Sequence, residues 1–181
     1  MNKYKLTFLI AGFFLIFSVF TGLDVFAYDV DVESAILVEE DTGQVLFEKN
    51  ADEKLPPASI TKIMTLLIAM EKLEEGVFSL EDEVTVSSYA ESMGGSQIYL
   101  AAHTRVTYEE LLKAVTIASA NDASVALAEA ISGTYTSFVN LMNKKAEKLG
   151  MENTNFVNST GLPVESGNHY TTARDIAVMS R

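Results

Sequence analysis

Pro57-Ala58-Ser59-Ile60-Thr61-Lys62 decides the reading of this chain. It places a serine three residues before a lysine at the mouth of a helix-forming run. Residues three apart on a helix share a face, so Ser59 and Lys62 can point into one cleft. A serine hydroxyl is a weak nucleophile until a neighbour takes its proton. Lysine can be that neighbour when burial disfavours the ammonium form and lowers its pKa. Near the first turn, Ser59 would also sit at the positive end of the helix dipole, which favours developing negative charge. The same spacing arises wherever a serine caps a helix and a solvated lysine follows. Two neighbouring features argue against that here. Pro56-Pro57 fixes the approach to the helix. Ile63-Met64-Thr65-Leu66-Leu67-Ile68-Ala69-Met70 is nearly all apolar, so the helix is expected to be buried on most sides. Lys62 therefore begins a core helix, expected from Ser59 to about Glu75 and stopped by Gly76.

Upstream, the N-terminus reads as a secretory signal. Lys3 and Lys5 form its positive region, Leu6 to Phe20 its apolar run, and Val25-Phe26-Ala27 a small-residue cleavage site with cutting after Ala27. The apolar run stretches to Leu23, so an uncleaved anchor is the alternative. Cleavage leaves residues 28–181, enough for one modest domain or part of a larger one. The formal charge of the whole chain is −12. Removing two lysines and Asp24 with the signal makes the remainder one charge more negative. That excess argues against nucleic acid and anionic lipid surfaces as partners. There is no cysteine, so an exported domain must hold together without disulfides. His103 and His169 are far apart and form no metal-ligand cluster, which argues against a zinc peptidase.

Downstream, Ala35-Ile36-Leu37-Val38 and Gln44-Val45-Leu46-Phe47-Glu48, joined by Asp41-Thr42-Gly43, read as a hairpin. Glu83 to Ser87 is a brief strand, and Met93-Gly94-Gly95-Ser96 is a loop. Thr107 and Glu110 form a capping box that opens a helix to about Ala118. Asp122 is expected to cap the next helix, Ala123 to about Ile131. Phe138, Leu141, Met142, Ala146 and Leu149 fall at helical spacing in a helix from Thr136 to Leu149. Asn158 to Asn168 reads as a polar loop, and Thr172 caps a last helix. A two-stranded sheet cannot stand alone, and the sequence offers only one further short strand.

Ser119-Ala120-Asn121 falls in the connection between two helices, where side chains can be presented to a cleft. A serine with one donor and two acceptors can relay a proton between Lys62 and a leaving group, and the Asn121 amide can bond a substrate peptide group and the lysine together. Carrying both motifs, the chain resembles the penicillin-recognising serine enzymes. More narrowly, it is similar to the low-molecular-mass penicillin-binding proteins, the serine D-alanyl-D-alanine carboxypeptidases. The resemblance rests on Ser59-x-x-Lys62 followed by Ser119-x-Asn121. Further matching phrases are Pro57 to Thr65, Gly95-Ser96, Ala118 to Ala123, Gly161-Leu162 and Tyr170-Thr171-Thr172-Ala173-Arg174-Asp175. It implies an α/β (α+β) β-lactamase/transpeptidase-like fold, an antiparallel sheet flanked by a helical cluster with the active site between them. It also implies that Ser59 forms an acyl-enzyme with Lys62 as general base, that Ser119 passes the proton and that Asn121 holds the substrate. The substrate it implies is the peptidoglycan stem peptide ending in D-Ala-D-Ala. β-Lactams would be covalent inhibitors, no cofactor would be needed, and the location would be the cell envelope.

Two departures from the family pattern stand out. The third family motif, Lys-Thr-Gly or a close relative, does not occur before Arg181, so the chain is expected to lack most of the sheet and to be inactive alone. Any membrane association would then depend on segments outside it. Ala101-Ala102-His103-Thr104-Arg105 replaces the acidic Pro-Gly-type turn that members commonly have. Two other readings stay open. A class A-like β-lactamase needs a deacylating glutamate in a Glu-x-x-Leu-Asn-type context, which Glu147, Glu152 and Glu165 lack. The other is a non-catalytic fragment.

Overall fold

A computed structural model describes residues 30–181, so the expected signal segment lies outside the described residues. The body from Glu33 to Arg181 begins with a hairpin, β1 (Ala35–Val38) and β2 (Val45–Lys49), paired antiparallel with Leu37 opposite Phe47. Its turn is closed by the Glu39 carboxylate, which accepts from the Asp41 and Thr42 amides and the Thr42 hydroxyl. A tight turn at Ala58–Ile60 leads into α1 (Thr61–Glu74). There follow β3 (Glu83–Thr85), the short α2 (Ser88–Glu91), β4 (Arg105–Thr107), α3 (Tyr108–Ala118), α4 (Asn121–Ser132), α5 (Tyr135–Leu149) and α6 (Ala173–Ser180).

β4 is a strand the sequence reading missed. It pairs antiparallel with β3, Val106 opposite Val84. Three residues directly before a capping box carry too little alternation to read as a strand. The pairing is carried on into the loop by Val86 and His103, each bonding the other side through the backbone. The capping box itself forms: Thr107 Oγ1 accepts from the Glu110 amide, and the Glu110 carboxylate accepts from the Thr107 amide.

α4 is the central helix. Every residue from Asn121 to Ala128 is buried, and the helix packs against α1, α3 and α5. Its alanines permit close approach. On one side Leu111, Val115, Tyr108 and Val86 close over it. On the other, Met64, Ile68, Phe138 and Met142 do so. Burying side chains such as Leu127 and Phe138 completely contributes about 2 kcal/mol each. The α5 face read from the sequence holds, with Phe138, Met142 and Ala146 buried.

Asp122 does not cap α4. The helix begins one residue earlier, at Asn121, with Ala120 in the cap position and no side-chain cap. The Asp122 carboxylate is wholly buried and accepts from the amides of Ile98 and Leu100. A carboxylate can satisfy amides of a neighbouring loop as readily as those of its own helix, and only the tertiary packing selects between them. At the C-terminal end Thr172 caps α6 as expected, accepting from the Asp175 amide. Leu55 and Thr171 form an isolated antiparallel bridge beside it.

α6 packs against β1, but neither outer edge of the hairpin pairs with another strand among the described residues. Leu37 and Leu46 are 55% and 57% exposed. Exposed strand edges with apolar side chains promote association. Residues 28–181 prepared alone are expected to self-associate with rising concentration, and Leu37→Lys with Leu46→Lys to suppress this. Light scattering across a dilution series checks it; a monomer at every concentration would contradict it.

Candidate active site

Ser59 is not in the first α-helical turn but in the tighter turn just ahead of it. Ala58 has a left-handed backbone, φ +47°, which a residue with a Cβ seldom adopts. Such strain is retained where surrounding structure over-determines it. The consequence is that Ser59 is exposed, while Lys62, three residues on, is 4% exposed.

Lys62 Nζ donates to the Thr160 carbonyl at 2.7 Å and to Ser59 Oγ at 3.4 Å. The first is a full hydrogen bond and the second a long one, so the ammonium is anchored by the carbonyl and reaches toward the serine. Burial lowers the Lys62 pKa to about 8. At pH 7.5 roughly a quarter of the molecules then hold a neutral amine, against about one in a thousand for an unperturbed lysine. The site therefore contains a base beside a hydroxyl.

The sequence reading missed Thr160, whose carbonyl is the nearer partner of Lys62. Its loop looks polar and solvated in sequence, yet Ser159 and Thr160 are buried. Asn158 Oδ1 accepts from the Thr160 amide and hydroxyl and from the Gly161 amide, while its Nδ2 donates to the Leu162 carbonyl. The Ser159 carbonyl accepts from Thr65 Oγ1 on α1 and Ser124 Oγ on α4. An Asx-type turn of Asn-Ser-Thr-Gly was the available signal. What it does not reveal is that α1 and α4 supply hydroxyls to seat it.

Gly161 is locked to this arrangement. Its φ is +80°, and a Cβ there would lie 1.7 Å from the Ala58 carbonyl oxygen. Gly161→Ala must push the Ala58–Ser59 turn away. It is expected to cost about 3 kcal/mol or more and to cut penicillin labelling of Ser59 at least tenfold. Thermal melting and gel fluorescence check this; labelling at the wild-type rate would contradict it.

The structure brings the second motif near the first but does not join them. Ser119 ends α3 in a left-handed conformation, φ +51°, half-buried. Its hydroxyl makes no hydrogen bond to Lys62, whose partners are Ser59 and Thr160. Asn121 does not bond the lysine either. Its amide nitrogen Nδ2 donates to the Gly94 carbonyl at 2.7 Å, and its backbone N–H to the Ser96 carbonyl at 2.7 Å. A Cβ on Gly95 would meet Asn121 Nδ2 at 2.8 Å and Leu162 at 3.6 Å. The Gly94–Ser96 loop is thus wedged between the Ser119–Asn121 connection and the turn that holds Lys62.

The described residues set an exposed serine beside a buried, pKa-lowered lysine within a helical cluster, and their fold is that of the penicillin-binding/transpeptidase class. Within that class, residues 22–181 match the family described as D-alanyl-D-alanine carboxypeptidase, and the chain belongs to that family. It is 52% identical over 151 residues to the D-alanyl-D-alanine carboxypeptidase DacF of Bacillus subtilis, covering 83% of this chain and 38% of that protein. Among solved structures it is similar to the D-alanyl-D-alanine carboxypeptidase DacD from Francisella tularensis, with a TM-score of 0.81 and 39% identity over 84% of this chain and 36% of that one. It is also similar to penicillin binding protein 5 from Haemophilus influenzae, with a TM-score of 0.82 and 34% identity over 86% of this chain and 46% of that one. The chain thus spans less than half the length of each of these proteins.

Proposed function

We propose that the whole protein is a serine D-alanyl-D-alanine carboxypeptidase that trims the terminal D-alanine from peptidoglycan stem peptides. Residues 28–181 form part of its catalytic domain, and residues 1–27 direct its export to the cell envelope. The observation that carries the reading is the buried Lys62, with a pKa of about 8, beside the exposed Ser59 hydroxyl. Family membership supports it.

In the proposed sequence of steps, Ser59 Oγ attacks the carbonyl of the penultimate D-alanine and its proton passes to neutral Lys62. The tetrahedral intermediate collapses as the lysine's proton, relayed through the Ser119 hydroxyl, reaches the leaving amine of the last D-alanine. Water then attacks the ester, the same groups take up its proton and deliver it to the departing Ser59 Oγ, and the shortened peptide leaves as its carboxylate. Ser119 has the freedom for a relay because its hydroxyl makes no hydrogen bond among the described residues. Asn121, buried and fixed by Gly94, holds the substrate amide at the end of its side chain. β-Lactams would acylate Ser59 by the same attack, consistent with the name of the Haemophilus relative.

The test is release of D-alanine from a synthetic peptide ending in D-Ala-D-Ala by the whole protein. One D-alanine per peptide is expected, and none from the L-Ala-L-Ala analogue. Equal cleavage of both, or of neither, would overturn the assignment.

A further inference from the structure

His169 is buried, 5% exposed, and plays no part in the proton path proposed for Ser59 and Lys62. It is held at both ring nitrogens. The Val157 N–H donates to Nδ1 at 3.0 Å. Nδ1 is therefore the acceptor, and the ring proton must sit on Nε2. Nε2 lies 2.8 Å from Thr61 Oγ1, so the imidazole donates to the threonine. Thr61 is the first residue of α1, two after Ser59 and one before Lys62. The ring is itself on a rigid platform. Tyr170 is bridged to Asn155, Thr171 to Leu55, and the Phe156 ring packs against the imidazole at 6.0 Å.

The nucleophile turn needs such a tether. Ala58 is strained, and it borders a cavity of about 230 Å³ lined by Pro56, Ala58, Gly161, Leu162, Val164 and His169. Side-chain packing does not back the turn there. The backbone contact with Gly161 and the Thr61–His169 bond do that instead.

We propose that His169 is a positioning residue for acyl transfer: neutral, in the Nε2–H tautomer, it clamps Thr61 and so holds Ser59 and Lys62 in register. The inference rests on the assignment of Ser59 and Lys62 above. Protonating the ring would place a proton on Nδ1, facing the Val157 N–H, donor against donor, and the clamp would open. Burial lowers the His169 pKa below the usual histidine range, so the clamp is closed at neutral pH and opens only in acid. Tyr170 adjoins it in sequence, Glu165 lies in the loop before it, and Lys62 follows its hydrogen-bond partner Thr61 on α1; burial, not their charge, causes the shift. By linkage, the unfolded chain binds this proton more readily, so stability falls as pH drops from about 6.5 toward the lowered pKa.

The experiment is the pH dependence of acylation of the whole protein by a fluorescent penicillin. Lys62 alone makes the rate fall tenfold per pH unit below about 8. With the clamp, the fall steepens to a hundredfold per unit once the pH drops below the lowered His169 pKa. Three variants separate the bonds. His169→Gln keeps a donor toward Thr61 and cannot be protonated: acylation at pH 7.5 is expected within about threefold of wild type, with the steep acid limb gone. His169→Asn loses the donor to Thr61, and Thr61→Val loses the acceptor. Each is expected to slow acylation at saturating penicillin by about tenfold without changing the non-covalent affinity. Nitrogen-15 shifts of the imidazole report the Nε2–H tautomer independently of activity.

A wild-type limb that stays at tenfold per unit down to the pH at which the protein unfolds would overturn the clamp, as would His169→Asn and Thr61→Val acylating like wild type, or an Nδ1–H tautomer. The wild-type profile and tautomer need no variant to fold. Absence of any labelling of the wild type would instead sink the assignment of Ser59 and, with it, the clamp's role in acylation.

Discussion

Ser59→Ala is expected to abolish covalent labelling of the whole protein by a fluorescent penicillin and to stop release of D-alanine. Ser59 is the exposed serine that Lys62 reaches, at 3.4 Å, on a turn that Gly161 and the Thr61–His169 bond hold in place. Removing one oxygen takes away the only atom there that can form the ester, while the fold, whose core lies on the other faces of α1 and around α4, should melt within about 1 kcal/mol of wild type. The two readouts separate chemistry from stability. Labelling that persists in this variant would remove Ser59 from the mechanism.

Lys62 gives the second large effect. Lys62→Arg keeps the charge but cannot release its proton near neutral pH, so acylation is expected to fall by a factor on the order of 10² or more. Lys62→Met is expected to abolish acylation and yet to raise the melting temperature. The reason is the sign of the linkage. The lysine is 4% exposed and its pKa is lowered from 10.5 to about 8. Between those values the unfolded chain binds more protons than the native one. The buried ammonium therefore costs stability below pH 8, on the order of 3 kcal/mol, and that cost disappears as the pH rises from about 8 to 10.5. Methionine fills the site without charge and gives up the hydrogen bond to the Thr160 carbonyl, about 1 kcal/mol. A Lys62→Met protein that melts lower than wild type at pH 7, or an acylation rate insensitive to pH between 6 and 9, would show that Lys62 is not the strained base described.

Much of this was legible because it is local. The spacing of Ser59 and Lys62, the apolar run that buries their helix, the Thr107–Glu110 box and the Thr172 cap all depend on residues three or four apart. Backbone geometry alone brings such residues together. The α5 stripe was legible for the same reason. β4 was not, since three residues hold too little periodicity. The Asn158–Leu162 turn was read as solvated because its side chains are polar. It is buried because Thr65, Ser124 and Tyr135, distant in sequence, supply its partners.

The sequence by itself determined that a serine and a lysine stand three residues apart at the start of a helix, that this helix is a core helix, and that Ser119 and Asn121 fall where one helix gives way to the next. Only the tertiary structure decided what those residues are worth chemically. Burial beside α4 lowers the lysine's pKa, the Thr160 carbonyl aims its amine, and Gly161 and His169 hold the strained Ala58 turn so that Ser59 stays exposed. Asp122 and Asn121 were diverted from capping and from the lysine to pin the Gly94–Leu100 loop. A pKa depends on desolvation and a hydrogen bond on its partner's position. Both are set by segments roughly 100 residues away along the chain, from Thr61 to His169 and from Lys62 to Thr160. No local pattern encodes that meeting.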